Sequence, residues 1–224
     1  MTEKWYFISP LILQQLIWVP TRIILKFFGH FKIDGLDNLK KIKSNVIFAC
    51  NHASELDPIL IPAALPFFSR FSPMFYVSRE KRFYSGAGWR RYFYGGLFFK
   101  FWGSYPVYVG LRNYEKALIN HISIVRHGGN LCIFPEGRTT PNGVIQSAKG
   151  GVVYLAHTTR IPIIPVKIIG TFNLTFSDFV FRRKHLSVIF GKPIYEPTYP
   201  ETVVPIEEFK KHANNITDIL KNML

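Results

Sequence analysis

Short apolar runs of strand length alternate with helical stretches along most of this chain, and this alternation constrains its fold more than any other feature. Helices are predicted at 113–126 and 148–159, and an amphipathic helix closes the chain at 206–223. Strands separated by helices of this length indicate βαβ crossovers. The predicted fold class is therefore α/β, with a mostly parallel central sheet flanked by helices. Strands are predicted at 31–35, 46–50, 74–77, 105–109, 131–134, 163–169 and 186–190.

Residues 1–30 are predicted to form an apolar and basic, membrane-associating helical segment ahead of an α/β domain at 31–224. The almost entirely apolar run at 5–19 is shorter than the about twenty residues that span a bilayer core. We therefore expect a helical element at 5–29, continuous or broken into a hairpin, that dips into one leaflet. The alternative is a helix buried against the domain. In the membrane arrangement three cations would lie at the head groups: Lys4, Arg22 and Lys26.

The charge and the aromatic content of the chain favour a partner that carries phosphates. The net charge is +14 and 16% of the residues are aromatic. Aromatic and basic residues crowd the stretch 67–108, which suits a membrane interface and would also suit single-stranded nucleic acid. We favour an anionic membrane surface and expect no nucleic acid. The two cysteines, Cys50 and Cys132, lie in separate apolar runs and are predicted to be buried free thiols.

A histidine and an aspartate follow the predicted strand at 46–50. Four residues separate His52 from Asp57, a gap that a turn into a helix can close. A carboxylate that accepts from one imidazole nitrogen leaves the other nitrogen free to take a proton from a hydroxyl or thiol. The alternative is an ordinary start of a helix at 58–65, with Asp57 as its N-cap and Pro58 in its first turn.

Polar residues follow several of the predicted strands. His52, Arg112 and Glu136 each come soon after a strand end. Because ligands of parallel sheets bind at the carboxyl ends of the strands, we expect these three residues to gather at one end of the sheet.

Four sequence blocks stand out between residues 51 and 166. The first is Asn-His-Ala-Ser-Glu-Leu-Asp at 51–57, the second contains Arg112, the third is Phe-Pro-Glu-Gly-Arg at 134–138, and the fourth is Ile-Pro-Ile-Ile-Pro-Val at 161–166. In content and order these blocks resemble those of the glycerolipid acyltransferase family, which includes 1-acylglycerol-3-phosphate acyltransferases. Members of this family commonly have Thr-Arg-Ser after the Glu-Gly pair. This chain has Arg-Thr-Thr at 138–140, so its arginine comes one position earlier.

The resemblance implies transfer of a fatty acyl group from a thioester, acyl-CoA or acyl-ACP (acyl carrier protein), to the free hydroxyl of a lysophospholipid. The expected acceptor is 1-acylglycerol-3-phosphate and the expected product is phosphatidic acid. The resemblance makes His52 the general base and Asp57 its orienter. It implies no metal and no cofactor besides the thioester co-substrate. The implied substrate-binding residues are Arg112 and Arg138 for the phosphate, with help from Lys149, and Glu136 for the glycerol, with Gly137 allowing close backbone approach.

The expected partners are an anionic membrane surface, the lysophospholipid acceptor, and acyl-CoA or acyl carrier protein. The expected location is the cytoplasmic face of a membrane, with a peripheral or monotopic attachment. Two other functions remain open from the residues alone. One is a non-catalytic module that binds anionic lipid or nucleic acid, and the other is a hydrolase that uses water in place of the lipid hydroxyl.

Overall fold

Seven strands and the helices between them organise the part of the chain that the structure describes. The structure, a computed structural model, describes residues 5–79, 100–111, 113–195 and 205–223. The strands are β1 (Lys32–Asp34), β2 (Ile47–Cys50), β3 (Met74–Ser78), β4 (Ser104–Pro106), β5 (Asn130–Ile133), β6 (Ile163–Ile169) and β7 (Ser187–Phe190). The α-helices are α1 (Trp5–Phe28), α2 (Asp57–Ala64), α3 (Tyr114–Ala117), α4 (Ile119–Arg126), α5 (Gly151–Thr159), α6 (Phe176–Val180) and α7 (Ile206–Asn222), and a 3-10 turn covers Leu36–Leu39.

The strands form one sheet in the order β1-β7-β6-β2-β5-β3-β4. Neighbouring strands are parallel except β6 and β7, which are antiparallel. The predicted α/β class with a mostly parallel sheet is therefore confirmed. Because β2, β3, β4, β5 and β6 run in the same direction, the residues that follow them emerge at one end of the sheet, which we call the carboxyl end.

The central strand β2 divides the hydrophobic core into two layers. Every residue of β2 is fully buried, as a parallel strand covered on both faces requires. Phe48 and Cys50 belong to the layer that contains residues of α1 and α2, whereas Ile47 and Ala49 belong to the layer with α5 and α7. Cys50 and Cys132 are free and buried as predicted, and their Sγ atoms lie 3.9 Å apart on adjacent strands.

Helix α1 packs against the domain along one side and exposes apolar side chains along the other. Gln14 is buried, and its amide bonds both backbone groups of Met74, at 2.9 Å to the N–H and 2.7 Å to the carbonyl. Phe7–Phe28 is long and apolar enough to cross a membrane by length and composition. The helix is continuous, so the hairpin alternative is wrong. Its exposed apolar residues include Ile8, Leu11, Ile12, Leu16, Val19, Ile23, Ile24 and Phe27.

The structure describes two of the three cations that were expected at the lipid head groups. Arg22 turns toward the protein, because its guanidinium donates to the Ala63 carbonyl and lies 5.5 Å from the ring centroid of Trp18. Lys26 is exposed, and Lys4 lies outside the described residues. The division of the chain at residue 30 stays a prediction.

Several predicted helix boundaries shift for identifiable reasons. The helix expected at 113–126 is two helices that meet at Leu118, whose φ of −113° and ψ of 16° are not helical. The helix expected at 148–159 begins later, because the N–H of Lys149 donates to Pro135 O at 2.8 Å. Much of the basic and aromatic stretch, residues 80–99, lies outside the described residues.

Candidate active site

The backbone of His52 is fixed at the carboxyl end of the sheet by contacts from both sides. The preceding Asn51 uses its side-chain amide to bond the N–H and carbonyl of Ile168, at 2.7 and 2.9 Å, and so joins the end of β2 to β6. The His52 N–H donates to Glu136 Oε1 at 2.9 Å, and its carbonyl accepts from the Thr140 N–H at 2.8 Å. The imidazole therefore projects from an anchored segment.

His52 and Asp57 are in direct contact. His52 Nδ1 lies 2.9 Å from Asp57 Oδ2, which also accepts from the N–H groups of Ala53 at 2.6 Å and Ser54 at 2.8 Å. The Asp57 side chain is fully buried, whereas that of His52 is 18% exposed. The alternative of Asp57 as an N-cap is wrong, because Leu56 holds that position and Asp57 is the first residue of α2.

The environment of the imidazole selects one tautomer. A carboxylate at Nδ1 keeps the proton on that nitrogen, so Nε2 carries the lone pair. The ring stacks on Phe134, with 4.1 Å between the centroids and 22° between the planes. His52 also borders the cavity described next. The arrangement can therefore remove a proton from a group that enters this cavity.

A cavity of about 810 Å³ opens beside His52, between the helices α1 and α2 and the strands β3 and β4. This volume lies within the range of about 300–1,000 Å³ that is usual for ligand sites. Most of its wall is apolar and aromatic, including Ile17, Trp18, Ile59, Pro62, Tyr76 and Trp102. The cavity is thus suited to a long apolar ligand that ends near the imidazole.

Three cations border the same cavity on the side of His52: Arg79, Arg138 and Lys149. The pKa of Lys149 is lowered, first by burial and then by the positive charges of Arg79 and Arg138. Arg79 Nη2 also donates to the carbonyl of Gly137 at 2.9 Å. An anion in this corner would relieve the repulsion among the cations, and a phosphate has the charge and the oxygen atoms to do so.

Gly137 makes room for one of these cations. Its φ is +69°, a conformation that glycine adopts without strain. A Cβ at this position would lie 3.2 Å from both Cδ and Cε of Lys149. A side chain at residue 137 would therefore both strain the backbone and push Lys149 aside.

Glu136 is buried and ties the loop after β5 together. Oε1 accepts from the His52 N–H, and Oε2 accepts from the Gln146 N–H at 2.7 Å. Burial raises its pKa, although these two hydrogen bonds and the positive form of His52 oppose the rise. Glu136 is not among the residues that border the cavity. Its expected contact with glycerol stays a prediction, while its observed contacts position the His52 backbone.

Comparison with known proteins places this site in a family. The family model described as Acyltransferase matches residues 30–169, which hold His52, Asp57 and the loop after β5. The chain belongs to the acyltransferase family. The 1-acyl-sn-glycerol-3-phosphate acyltransferase BAT2 of Brassica napus is 25% identical to it over 171 residues, which cover 75% of this chain and 46% of the relative. The 1-acyl-sn-glycerol-3-phosphate acyltransferase of Borreliella burgdorferi is 24% identical over 193 residues, covering 86% and 69%.

A solved structure shares the fold of this chain. It is the 1-acyl-sn-glycerophosphate acyltransferase PlsC of Thermotoga maritima, with a TM-score of 0.60 and 20% identity over 94% of this chain and 82% of that one. At this level of identity the match shows the fold. The chain spans about half the length of the plant relative named above.

The structure brings together most of the site residues that the sequence singled out. His52 and Asp57 are paired, and Gly137, Arg138 and Lys149 border the cavity beside them. Arg112 lies outside the described residues. Within the described ranges no group of histidine, cysteine, aspartate and glutamate residues could hold a metal ion.

Sequence reasoning missed Arg79. It directly follows β3, and so it shares with His52 the signal of a polar residue just after a strand end. The aromatic and basic stretch that comes next obscured this signal, because it suggested a membrane interface for the whole segment.

Proposed function

We propose that this chain transfers a fatty acyl group from acyl-CoA or acyl carrier protein to the free hydroxyl of 1-acylglycerol-3-phosphate, which yields phosphatidic acid. The observation that carries the proposal is the His52–Asp57 pair, 2.9 Å apart, at the rim of an apolar cavity and beside three cations. Membership of the acyltransferase family and the names of the similar relatives support the same reaction.

In the proposed reaction His52 Nε2 accepts the proton of the acceptor hydroxyl. The hydroxyl oxygen attacks the thioester carbonyl, a C–O bond forms and the C–S bond breaks. The leaving thiolate then takes the proton from the imidazolium, so the pair returns to its starting state. Asp57 holds the ring by Nδ1 and stabilises the positive charge that develops on it. No cofactor besides the thioester is required.

The cationic corner would bind the acceptor phosphate. Arg79, Arg138 and Lys149 border the cavity near His52, and forked guanidinium groups match phosphate oxygens well. We propose the same role for Arg112. The glycerol would then lie between the phosphate and the imidazole, which places its free hydroxyl within reach of Nε2.

The apolar part of the cavity would hold an acyl chain next to the reacting carbonyl. Its wall includes Trp18 of α1 and Ile59 of α2, so α1 contributes directly to the ligand site. We propose that the exposed side of α1 attaches the protein to the cytoplasmic face of a membrane, in a peripheral or monotopic manner. The lipid acceptor would then enter from the bilayer and the thioester donor from the aqueous side.

The test is an assay of the purified chain with radiolabelled acyl-CoA or acyl carrier protein and a panel of lyso-acceptors. His52→Ala should lower acyl transfer by about 10²- to 10⁴-fold. The matched control is His212→Ala, which removes a histidine of α7 that does not border the cavity. Equal rates for wild type and His52→Ala would refute the assignment of the base.

Product analysis in the same assay separates the alternatives. Phosphatidic acid supports the proposal, and free fatty acid would indicate a hydrolase. Binding of lysophosphatidic acid without turnover of any thioester would indicate a non-catalytic lipid-binding module.

A further inference from the structure

A basic and aromatic surface lies around the short helix α6, apart from the residues that border the cavity. Phe176 and Phe181 expose 83% and 68% of their surfaces, and Val180 between them is also exposed. Arg182 and Arg183 follow directly, and the guanidinium carbon of Arg183 lies 5.3 Å from the ring centroid of Phe181. We call these five residues the α6 surface. Large apolar side chains exposed together on a soluble domain mark an interaction site.

The α6 surface is continuous with the exposed side of α1. The guanidinium carbon of Arg182 lies 5.1 Å from the ring centroid of Phe27, which is itself 57% exposed. The rings of Phe28 and Phe179 pack against each other at 5.7 Å. A partner that covers the exposed apolar side chains near the C-terminus of α1 therefore also contacts the α6 surface.

Hydrogen bonds hold the segment that carries these exposed aromatic side chains in one conformation. Thr175 and Asp178 form a capping box at the start of α6, in which the Asp178 N–H donates to Thr175 Oγ1 at 3.0 Å. Lys184 Nζ donates to the carbonyls of Phe172 and Asn173 at 2.8 and 2.9 Å, which ties the end of the segment to its beginning.

The charge of the segment is positive and suits an anionic partner. Asp178 is the only acidic residue between 175 and 185, and the capping box occupies its Oδ2. Arg182 and Arg183 lie beside exposed rings, so their charged ends and the rings can occupy different depths of one interface.

The position of α6 fits the direction from which a lipid acceptor would enter. β6 is parallel to β2 and ends at Ile169, so α6 comes after the carboxyl end of the sheet, where His52 lies. β7 and β1 run in the opposite direction, so both begin at this same end. Along the chain β7 is the next strand after α6, and β1 is the next strand after α1. A flat surface that touches the end of α1 and α6 would therefore lie on the side of the molecule that holds the imidazole.

We propose that the α6 surface is a second contact with an anionic lipid bilayer, in addition to α1. Phe176 and Phe181 insert among the acyl chains at the interface, and Arg182 and Arg183 bind lipid phosphates. Contacts on two different helices fix the orientation of the domain on the membrane, which a single helix leaves free to rotate about its axis. The inference rests on the membrane attachment of α1 in the proposed function.

Depth-dependent fluorescence of the full chain tests this contact. Single cysteines are introduced as Val180→Cys in α6, Leu16→Cys in α1 and Ile219→Cys in α7, and each is labelled with an environment-sensitive dye. The native thiols of Cys50 and Cys132 are fully buried and stay unlabelled in the folded protein. The vesicles contain phosphatidylcholine with about 30% phosphatidylglycerol and spin labels in the acyl region.

The proposal predicts a blue shift and quenching by the spin labels at positions 16 and 180, and neither at 219. Quenching at position 16 alone would overturn the α6 contact and leave the α1 attachment intact. Quenching at neither position would overturn both, while the acyl-transfer assay judges the reaction separately. The dye at position 180 could also shift to the blue without vesicles, and the more so at higher protein concentration. This result would assign the α6 surface to contact with a second copy of the chain and would overturn the proposal.

Partitioning measurements supply a second readout. Arg182→Ala with Arg183→Ala should lower the partition coefficient on the anionic vesicles by roughly 30-fold, with little change on pure phosphatidylcholine. The matched control is Lys41→Ala with Lys43→Ala, which removes two exposed charges before β2, at the opposite end of the sheet. Equal losses in the two double variants would show a general charge effect and overturn the proposal.

Discussion

Replacement of Asp57 by asparagine isolates the effect of its charge on the imidazole. The asparagine oxygen can take the place of Oδ2 and keep the contacts with the N–H groups of Ala53 and Ser54. The developing imidazolium of His52 loses a carboxylate at 2.9 Å. With about 4 Å between the charge centres and an effective dielectric constant of about 20, the attraction is about 4 kcal/mol. Because the His52 side chain is 18% exposed and partly screened, we expect a loss of about 2–4 kcal/mol.

This loss corresponds to a rate of acyl transfer about 30- to 1,000-fold below that of the wild type. Asp57→Asn should also lower the free energy of unfolding by about 1–3 kcal/mol. Its amide N–H₂ would take the place of the buried Oδ1, which has no hydrogen-bond partner among the residues that the structure describes. Kinetics at temperatures where the variant stays folded separate the two effects. The control is Asp218→Asn, an exposed aspartate on α7.

A double variant decides whether Asp57 acts through the imidazole. If it does, His52→Ala with Asp57→Asn should be no slower than His52→Ala alone. This role would be refuted if the rate loss in the double variant equalled the product of the two single losses. A threefold or smaller rate loss in Asp57→Asn alone would also refute it.

Three further predictions follow from single side chains. Arg79→Met should raise the KM for lysophosphatidic acid by about tenfold or more with little change in the KM for acyl-CoA, because it removes one of the cations near the phosphate; an unchanged acceptor KM would contradict the phosphate site. Gln14→Leu should lower the free energy of unfolding by about 2–4 kcal/mol in chemical denaturation, because it leaves the N–H and carbonyl of Met74 without their side-chain partner, and a loss below about 0.5 kcal/mol would contradict this role. Burial lowers the pKa of His121 to about 4, although its hydrogen bond to the Tyr105 carbonyl opposes the shift, so the unfolded state binds the extra proton first as the pH falls below 6.5. The wild type should therefore lose about 3 kcal/mol more of its stability between pH 7 and pH 4 than His121→Gln, and coincident stability curves would contradict the shift.

Much of the fold could be predicted because its signals are local. The runs that became β2, β5 and β6 are almost entirely apolar, with Asn130 and Lys167 as their polar residues, and helices of sufficient length separate several of the strands. The contact between His52 and Asp57 could be predicted for a similar reason, since both residues lie in one short turn after a strand.

The features that were missed depend on residues distant in sequence. Asn51 joins two strands by bonding the backbone of Ile168, and no local pattern shows that pairing. Glu136 holds the His52 backbone from 84 positions away. The sequence alone did not decide whether α1 is one helix or a broken hairpin. The helix continues through Pro10 and Pro20, because contacts such as those of its buried glutamine fix it against the domain.

Direct attack by the acceptor hydroxyl, with His52 as its base, is the central claim, and rapid-quench measurement of thiol release tests it most directly. The account predicts that acyl-CoA releases thiol only when lysophosphatidic acid is present, and that His52→Ala slows this release by about 10²-fold or more. A burst of thiol without acceptor, equal in amount to the enzyme, would reveal an acyl-enzyme intermediate and contradict the claim.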